Sequence, residues 1–429
     1  MISIYPEPTE QVSYADTASL DAFGRLRVSE ALTIFNAQQE YGLDTTATWD
    51  ATANGVIATS SSDASVTSGS NAVGPTSSST RMTPITVSTT NGHYSIIQSK
   101  GYFRYIPGKS HLVLITGIFA SGASSTASIV VRSSTSGSVV DNAVAQTSWN
   151  IDKFDGTGPS GITLDFTKTQ IFFISAQWLG VGRVVCGFSV NGRLYPAHQF
   201  LHANVLTVPY AQTFNLPVRM EIRNTGAAES TARAGYFDAS NGVFLQTVRA
   251  VAGGTVNMIC CSVQSEGGQV SRGFSRSAAM GTSSVSVTTR RPILSIRPKA
   301  TFNSRTNRGL IVLSGYEATA ATNAAFIEIV LGGTLTGAAF ASLGTASITE
   351  FDTAATAISG GIVLDSGYVA AGAGAARAAT SQSVDFRNPL VLSQIDALTA
   401  TQTPLTLVAT SLTGTSSVTA SLNFFEEYI

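Results

Sequence analysis

Gln170-Ile-Phe-Phe-Ile-Ser-Ala-Gln-Trp178, Leu179-Gly-Val-Gly182, Arg183-Val-Val-Cys-Gly-Phe-Ser-Val190 and Asn191-Gly-Arg-Leu-Tyr195 follow one another without interruption. Two apolar runs of strand length flank a short glycine-containing connection, and the second runs into Asn-Gly. That dipeptide tolerates the positive φ that a two-residue hairpin turn requires. The stretch therefore predicts three antiparallel strands in succession. The same grammar extends outward in both directions. His111–Phe119 and Ser128–Arg132 read as buried strands. Val218–Arg223 alternates, Gly235–Leu245 reads as a second Asn-Gly hairpin, and Thr255–Val263 closes the block. Tyr102–Ser110 reads as a strand into a Pro-Gly turn, and Ile162–Phe166 as a strand. Beyond residue 290, Pro292–Arg297, Gly309–Ser314 and Ala325–Leu331 repeat the style. Strands at short intervals joined by turns predict an all-β protein of sandwich or jelly-roll-like domains.

Organisation follows from composition shifts. Residues 1–45 read as an extended N-terminal arm, beginning polar with Pro6 and Pro8. A β-sandwich-like domain spans 46–280, with a shift near Gly267–Gly273, and a second β-rich domain spans 281–429. Residues 45–92 are poor in large side chains and fit either a loop or short strands. Residues 354–379, dense in Ala and Gly, fit strand and loop better than helix. No fixed-period repeat supports a solenoid or propeller.

The charge inventory excludes several functions. Charged residues are 12% of the 429, the net charge is −1, and 43% of residues are hydrophobic. A nucleic-acid binder needs a basic surface, and disorder needs low hydrophobicity. No apolar run is long enough for a membrane helix, and the N-terminus has no signal-peptide pattern. Cys186, Cys260 and Cys261 are too few, and odd in number, for a disulfide framework; each reads as a packed thiol. Only five of the 25 basic residues are Lys. Arg suits buried and interface ion pairs, which points to surface covered by other copies, with genomic composition as the competing explanation.

Chemical motifs are weak. Gly156-Thr-Gly-Pro-Ser-Gly161 matches G-x-G-x-x-G, but no helix follows to meet a phosphate. Asp152, Asp155 and Asp165 could offer oxygens to a hard cation, against Lys153 in their midst. His198 and His202 would share a helical face, yet no zinc-protease Glu lies between them. There is no G-x-S-x-G elbow, and no pair of acids stands out. No cofactor is expected, and no enzymatic activity.

Taken as a set, several motifs resemble a family of virion structural proteins of tailed bacteriophages from marine and fresh waters. They are Asp21-Ala-Phe-Gly-Arg-Leu-Arg-Val28 with Thr33-Ile-Phe35, Tyr105-Ile-Pro-Gly-Lys-Ser110, Trp149–Gly161, Trp178-Leu-Gly-Val-Gly182, His202-Ala-Asn204, Leu216-Pro-Val-Arg219 and Ser265-Glu-Gly267. The resemblance covers roughly residues 20–270 and carries over no catalytic residue. It implies a non-enzymatic virion component, in the tail, baseplate or fibre apparatus. Its partners would be other copies of itself, a trimer favoured, and other virion proteins. Phe23, Arg25, Leu26, Arg27 and Phe35 are the candidate assembly and anchoring residues of the arm. The alternatives are a capsid decoration protein, or a lectin-like module binding host-surface glycans through aromatics such as Tyr236 and Phe237. Nucleic acid and membrane are not expected partners.

Overall fold

The computed structural model describes residues 19–20, 26–27, 31–38, 49–53, 56–57, 72–74, 77, 79–99, 101–122, 125–226, 228–266, 273–372, 378–383, 390, 392 and 402–427. At 19–20, 26–27, 31–32, 49–53, 56–57, 72 and 378–383 only the backbone is described. The chain forms two compact units that divide between Val270 and Ser271. That division lies ahead of the boundary at 280 drawn from composition. The strand Phe274–Ala279 pairs with Ser416–Glu427 and so belongs to the second unit.

The first unit is a sandwich of two antiparallel sheets. One runs in the order Val140–Ala145, Ser125–Ser133, Gly242–Arg249, Glu229–Phe237, Val218–Gly226, Tyr94–Ser99, Trp49–Ala53, Val56–Ile57. The other runs Arg193–Phe200, Val184–Val190, Gln170–Ala176, Ser110–Ile118, Gly254–Glu266, Thr83–Val87, Ala72–Val73, and Ala31–Gln38 adds to Gly254–Glu266. Side chains from both sheets make one core, including Ile129, Met220, Ile222 and Leu245 from the first and Val113, Phe172, Cys186 and Val256 from the second. Strand periodicity explains the selection: Phe172, Ile174 and Ala176, two apart, all enter this core. Phe173 points the other way and is also buried. It has room because its partner across the ladder is Gly187, where a Cβ would come 2.7 Å from its ring.

The opening stretch folds as read. Gln170–Ala176 and Val184–Val190 pair antiparallel, and Asn191 and Gly192 turn with φ of 53° and 80° into Arg193–Phe200. Three expectations need correction. Tyr102–Lys109 keeps the Pro107-Gly108 turn, but its only ladder contact is a bridge from Phe103 to Leu216. Ile162–Phe166 is likewise a single bridge, Asp155 to Thr163, because the loop spends its backbone groups locally: Gly156 and Leu164 donate to Ile162 and Phe154. The second hairpin turns on four residues, Asp238–Asn241, with Asp238 Oδ1 accepting from the Ser240 and Asn241 amides at 2.7 and 2.8 Å. Part of the expected arm is strand: Leu26–Arg27 pairs with Ser19–Leu20, and Ala31–Gln38 is built into the sheet.

The second unit has two six-stranded sheets of its own. One is centred on the pair Leu310–Ala321 and Ser416–Glu427, the other on Arg291–Pro298, Leu405–Ser411 and Ala325–Leu331. Its core is mostly aliphatic, with Ile296, Ile311, Ile327, Ile329, Leu405 and Leu407 fully buried around Tyr316 and Phe424. Of residues 354–379, the described ones, 354–372 and 378–379, form strands and loops and no helix, as the glycine spacing implies. Among the described residues no helix is long and apolar enough to cross a membrane.

Candidate functional site

Among the described residues of the first unit, two connections at one end of the second sheet carry the most exposed aliphatic surface. After Gln170–Ala176 the chain closes a tight loop over Trp178–Gly182. Gln177 N donates to Arg183 O at 3.0 Å and Gly182 N to Trp178 O at 2.7 Å. Leu179 adopts φ of 40°, and a Cβ on Gly182 would lie 1.9 Å from the Gln177 carbonyl oxygen. After Arg193–Phe200 a second loop runs to Pro209, with the Val205 and Leu206 amides donating to His202 O at 3.1 Å. The two loops are stapled together. His202 is buried, and its Nδ1 donates to Gly182 O at 2.8 Å. Its ring stacks on Tyr210 with centroids 4.1 Å apart, and Tyr210 N donates to Gly180 O at 2.9 Å. Burial pushes the His202 pKa down, so the ring is neutral and the staple persists near neutrality.

What the staple holds outward is apolar. Leu179, Val181, Leu201, Val205, Leu206 and Val208 are between 37% and 69% exposed. No charged residue occurs in 177–182 or 201–210. Together these side chains expose on the order of 500 Å² of aliphatic surface, the size at which a patch on a single chain is commonly functional. Sequence periodicity could not flag it, since neither loop has a strand pattern. The available signal was an uncharged Val205-Leu-Thr-Val208 run ending in proline.

The sequence-level candidates resolve differently. Asp152 is buried and turned into its own loop: Oδ1 accepts from Phe154 N and Oδ2 from Ser160 N, both at 2.8 Å. Gly158 leaves the space it occupies, since a Cβ there would meet Asp152 Oδ1 at 2.0 Å. Asp155 and Asp165 each accept from the amide and hydroxyl of the threonine two residues on, Thr157 and Thr167. Those bonds hold both carboxyls below their usual range. Among the described residues, no three His, Cys, Asp or Glu side chains gather as a metal would need. His198 is on a strand, not a helix, and its Nδ1 accepts from Asn150 N at 3.1 Å.

Tyr236 and Phe237, the aromatics considered for stacking on sugars, are completely buried, so they offer no platform. Tyr236 Oη lies 3.2 Å from His111 Nδ1 and within 3.0–3.2 Å of the Phe103 and Phe214 carbonyls. Burial pushes His111 down to about 4. Phe237 lies on the opposite face of its sheet, among charges. There Glu221, fully buried, accepts from Arg219 Nε at 2.9 Å, Arg223 Nε at 3.0 Å and Arg233 Nη1 at 2.9 Å. Arg219 lies over the Phe237 ring and Arg132 over Phe244. Burial alone would raise the Glu221 pKa, but the three guanidiniums outweigh it and hold the carboxyl well below its usual range. The arginine excess is thus put to use within the chain. Arg132, Arg276, Arg290 and Arg297 also pair with carboxylates of the same unit.

Of the arm residues, Phe23 and Arg25 lie outside the described residues, and Leu26 and Arg27 are described by backbone only. Phe35 is half-buried and packs on Phe103, with centroids 4.6 Å apart, against the first unit's own core. Cys186 and Cys261 are buried free thiols and Cys260 is half-buried.

No family model and no curated protein matches the chain. Among solved structures, a lectin from Bauhinia forficata in complex with GalNAc aligns with 54% of this chain and 97% of its own length, at 10% identity and a TM-score of 0.17.

Proposed function

We propose that the chain is a non-enzymatic structural component of a tailed-phage virion that assembles with other copies of itself, a trimer favoured. Its place would be the tail, baseplate or fibre apparatus. The stapled aliphatic platform of Leu179–Val181 and Leu201–Val208 carries this reading. Interface cores are depleted of charge and self-associating interfaces are the most apolar. The two loops meet that description and are already held rigid, which lowers the ordering cost of association. A standard interface buries ~800 Å² per partner; the aliphatic surface supplies most of this and the flanking polar loop atoms the rest. Trp178–Gly182 and His202–Asn204, two of the motifs behind the virion resemblance, form this same platform. The arm, through Phe23, Arg25, Leu26 and Arg27, would engage a neighbouring virion protein.

Sedimentation equilibrium of the full chain tests the assembly step. The wild type should be oligomeric, and Val205→Asp and Leu201→Asp should yield folded monomer. A monomeric wild type, or variants that stay oligomeric, would refute the platform as the interface. Copy number in intact particles separates tail from head: a small multiple of three or six indicates the tail, hundreds a capsid decoration.

A further inference from the structure

The second unit carries a pocket built from a cross-strand ion pair. Arg297 on Arg291–Pro298 sits directly opposite Glu350 on Thr349–Asp352. Arg297 Nε donates to Glu350 Oε1 at 2.5 Å, and the guanidinium lies 3.9 Å from the centre of the Phe340 ring. Gln402 Nε2 donates to the same Glu350 oxygen at 2.9 Å and to Pro298 O at 2.7 Å. The loop bearing Phe340 is fixed from behind. Asp352, 2% exposed, accepts from the Ala339, Ala354 and Ala355 amides at 2.6, 3.1 and 3.1 Å. Beside the lining residues Gly333 and Pro404, Gly332 N donates to Pro404 O at 2.8 Å. The result is an open cavity of about 370 Å³ lined by the polar ends of Arg297 and Gln402 and by Leu335, Ala338, Phe340 and Pro404, with Arg297 stacked on Phe340.

That volume lies within the range of small-molecule sites, and the walls narrow the chemistry. The side-chain hydrogen bond of Arg297 runs through Nε, which leaves the two terminal amino groups as a fork of donors. Gln402 commits its amide nitrogen and keeps its carbonyl oxygen as an acceptor. Glu350 offsets the Arg297 charge at contact distance, which removes the field that would select a carboxylate or phosphate. A wholly apolar guest would strip water from the arginine and glutamine and return no hydrogen bonds. A ring bearing adjacent hydroxyls satisfies every wall. Each hydroxyl oxygen accepts from the fork while its proton is donated to the amide oxygen, and the C–H face meets Leu335, Phe340 and Pro404. We propose that this pocket is a binding subsite for a neutral saccharide ring. The inference uses no residue of the first unit and stands independently of the assembly reading.

Saturation-transfer NMR on the full chain tests it, with a panel of neutral mono- and disaccharides, glucuronate and inorganic phosphate as probes. A neutral saccharide should receive saturation. Gln402→Leu, which removes the acceptor, and Leu335→Trp, which fills the cavity and leaves the ion pair intact, should each weaken binding by tenfold or more. Val205→Asp should leave it unchanged. No transfer to any neutral saccharide overturns the proposal. So does transfer to glucuronate or phosphate alone, or binding that survives both pocket variants.

Discussion

Glu221→Gln should destabilise the first unit more than any other single polar substitution there. The wild-type carboxylate is fully buried and accepts from three guanidiniums, one of them Arg219, which is also fully buried. Glutamine keeps the volume but removes the charge, and its amide N–H₂ turns donors toward donors. Breaking a buried pair from one side costs about 3–5 kcal/mol because the surviving charge is left uncompensated. With a urea m-value of about 3 kcal/mol per M for a unit of this size, the midpoint should fall by roughly 1–2 M. The readout can be restricted to the right unit, since Trp49, Trp149 and Trp178 are the three tryptophans of the chain and all precede residue 270. The pH dependence gives a second handle. Glu221 is held well below its ordinary 4.5, so its contribution is complete above that value and is lost as pH falls through the lower folded value. The gap between wild type and variant should stay constant from neutrality to about pH 4.5 and narrow below it. Adding Arg219→Met to Glu221→Leu should recover much of the loss, since a buried pair can be replaced by apolar side chains at little cost. An unchanged tryptophan midpoint in Glu221→Gln, or a double variant no more stable than the single one, would refute the reasoning.

Other expectations can be checked with the same protein. His111 is pushed from 6.5 to about 4, so below pH 6.5 the unfolded chain takes up a proton that the folded chain refuses. Stability should therefore decline by on the order of 3 kcal/mol between pH 6.5 and 4, and His111→Gln should flatten that slope even if it lowers the plateau. Asp152→Ala strands the Phe154 and Ser160 amides and should cost about 1–3 kcal/mol in urea unfolding. Gly158→Ala should destabilise too, by forcing a Cβ onto the same carboxylate. Burial pushes the Cys186 and Cys261 thiols far up, so a thiol reagent should label them only on unfolding, with Cys260 reacting first in the native protein.

Strand existence was legible wherever a run was long and its turn chemistry local. Gln170–Ala176, Val184–Val190 and Asn191-Gly192 needed only periodicity and a dipeptide that accepts positive φ. Asn241-Gly242 misled because Asp238, three residues earlier, caps the turn from outside the dipeptide. Ile162–Phe166 has strand composition, but its neighbours satisfy one another within the loop. The deeper limit is that alternation assigns a residue to a face without saying what covers that face. Arg219, Glu221 and Arg223 fall two apart, so alternation puts them on one face, and Arg219 and Glu221 are nonetheless fully buried. Tyr236 and Phe237 point to opposite faces, and both faces are closed.

The same limit sharpens what the resemblance motifs can support. Most of their residues act inward. Tyr105, Trp149 and Phe154 are core, Asp152 caps its own loop, and Arg219 pairs with Glu221. A motif of inward-acting residues speaks to scaffold and is equally compatible with any function grafted on it. Leu179 and Val181 differ: with Leu201, Val205, Leu206 and Val208, which lie outside the motifs, they are held outward by loops that His202, Tyr210 and Gly182 tie together. A fold that needed only to bury its apolar side chains would gain by turning these six aliphatic groups inward or replacing them with polar ones, since at 37–69% exposure each forgoes about 0.5–2 kcal/mol of burial. The stapling is therefore evidence of a different kind from the rest of the motif set. Assembly through this platform, as proposed, would make both the exposure and the rigidity useful, and Val205→Asp is the variant that separates scaffold from interface.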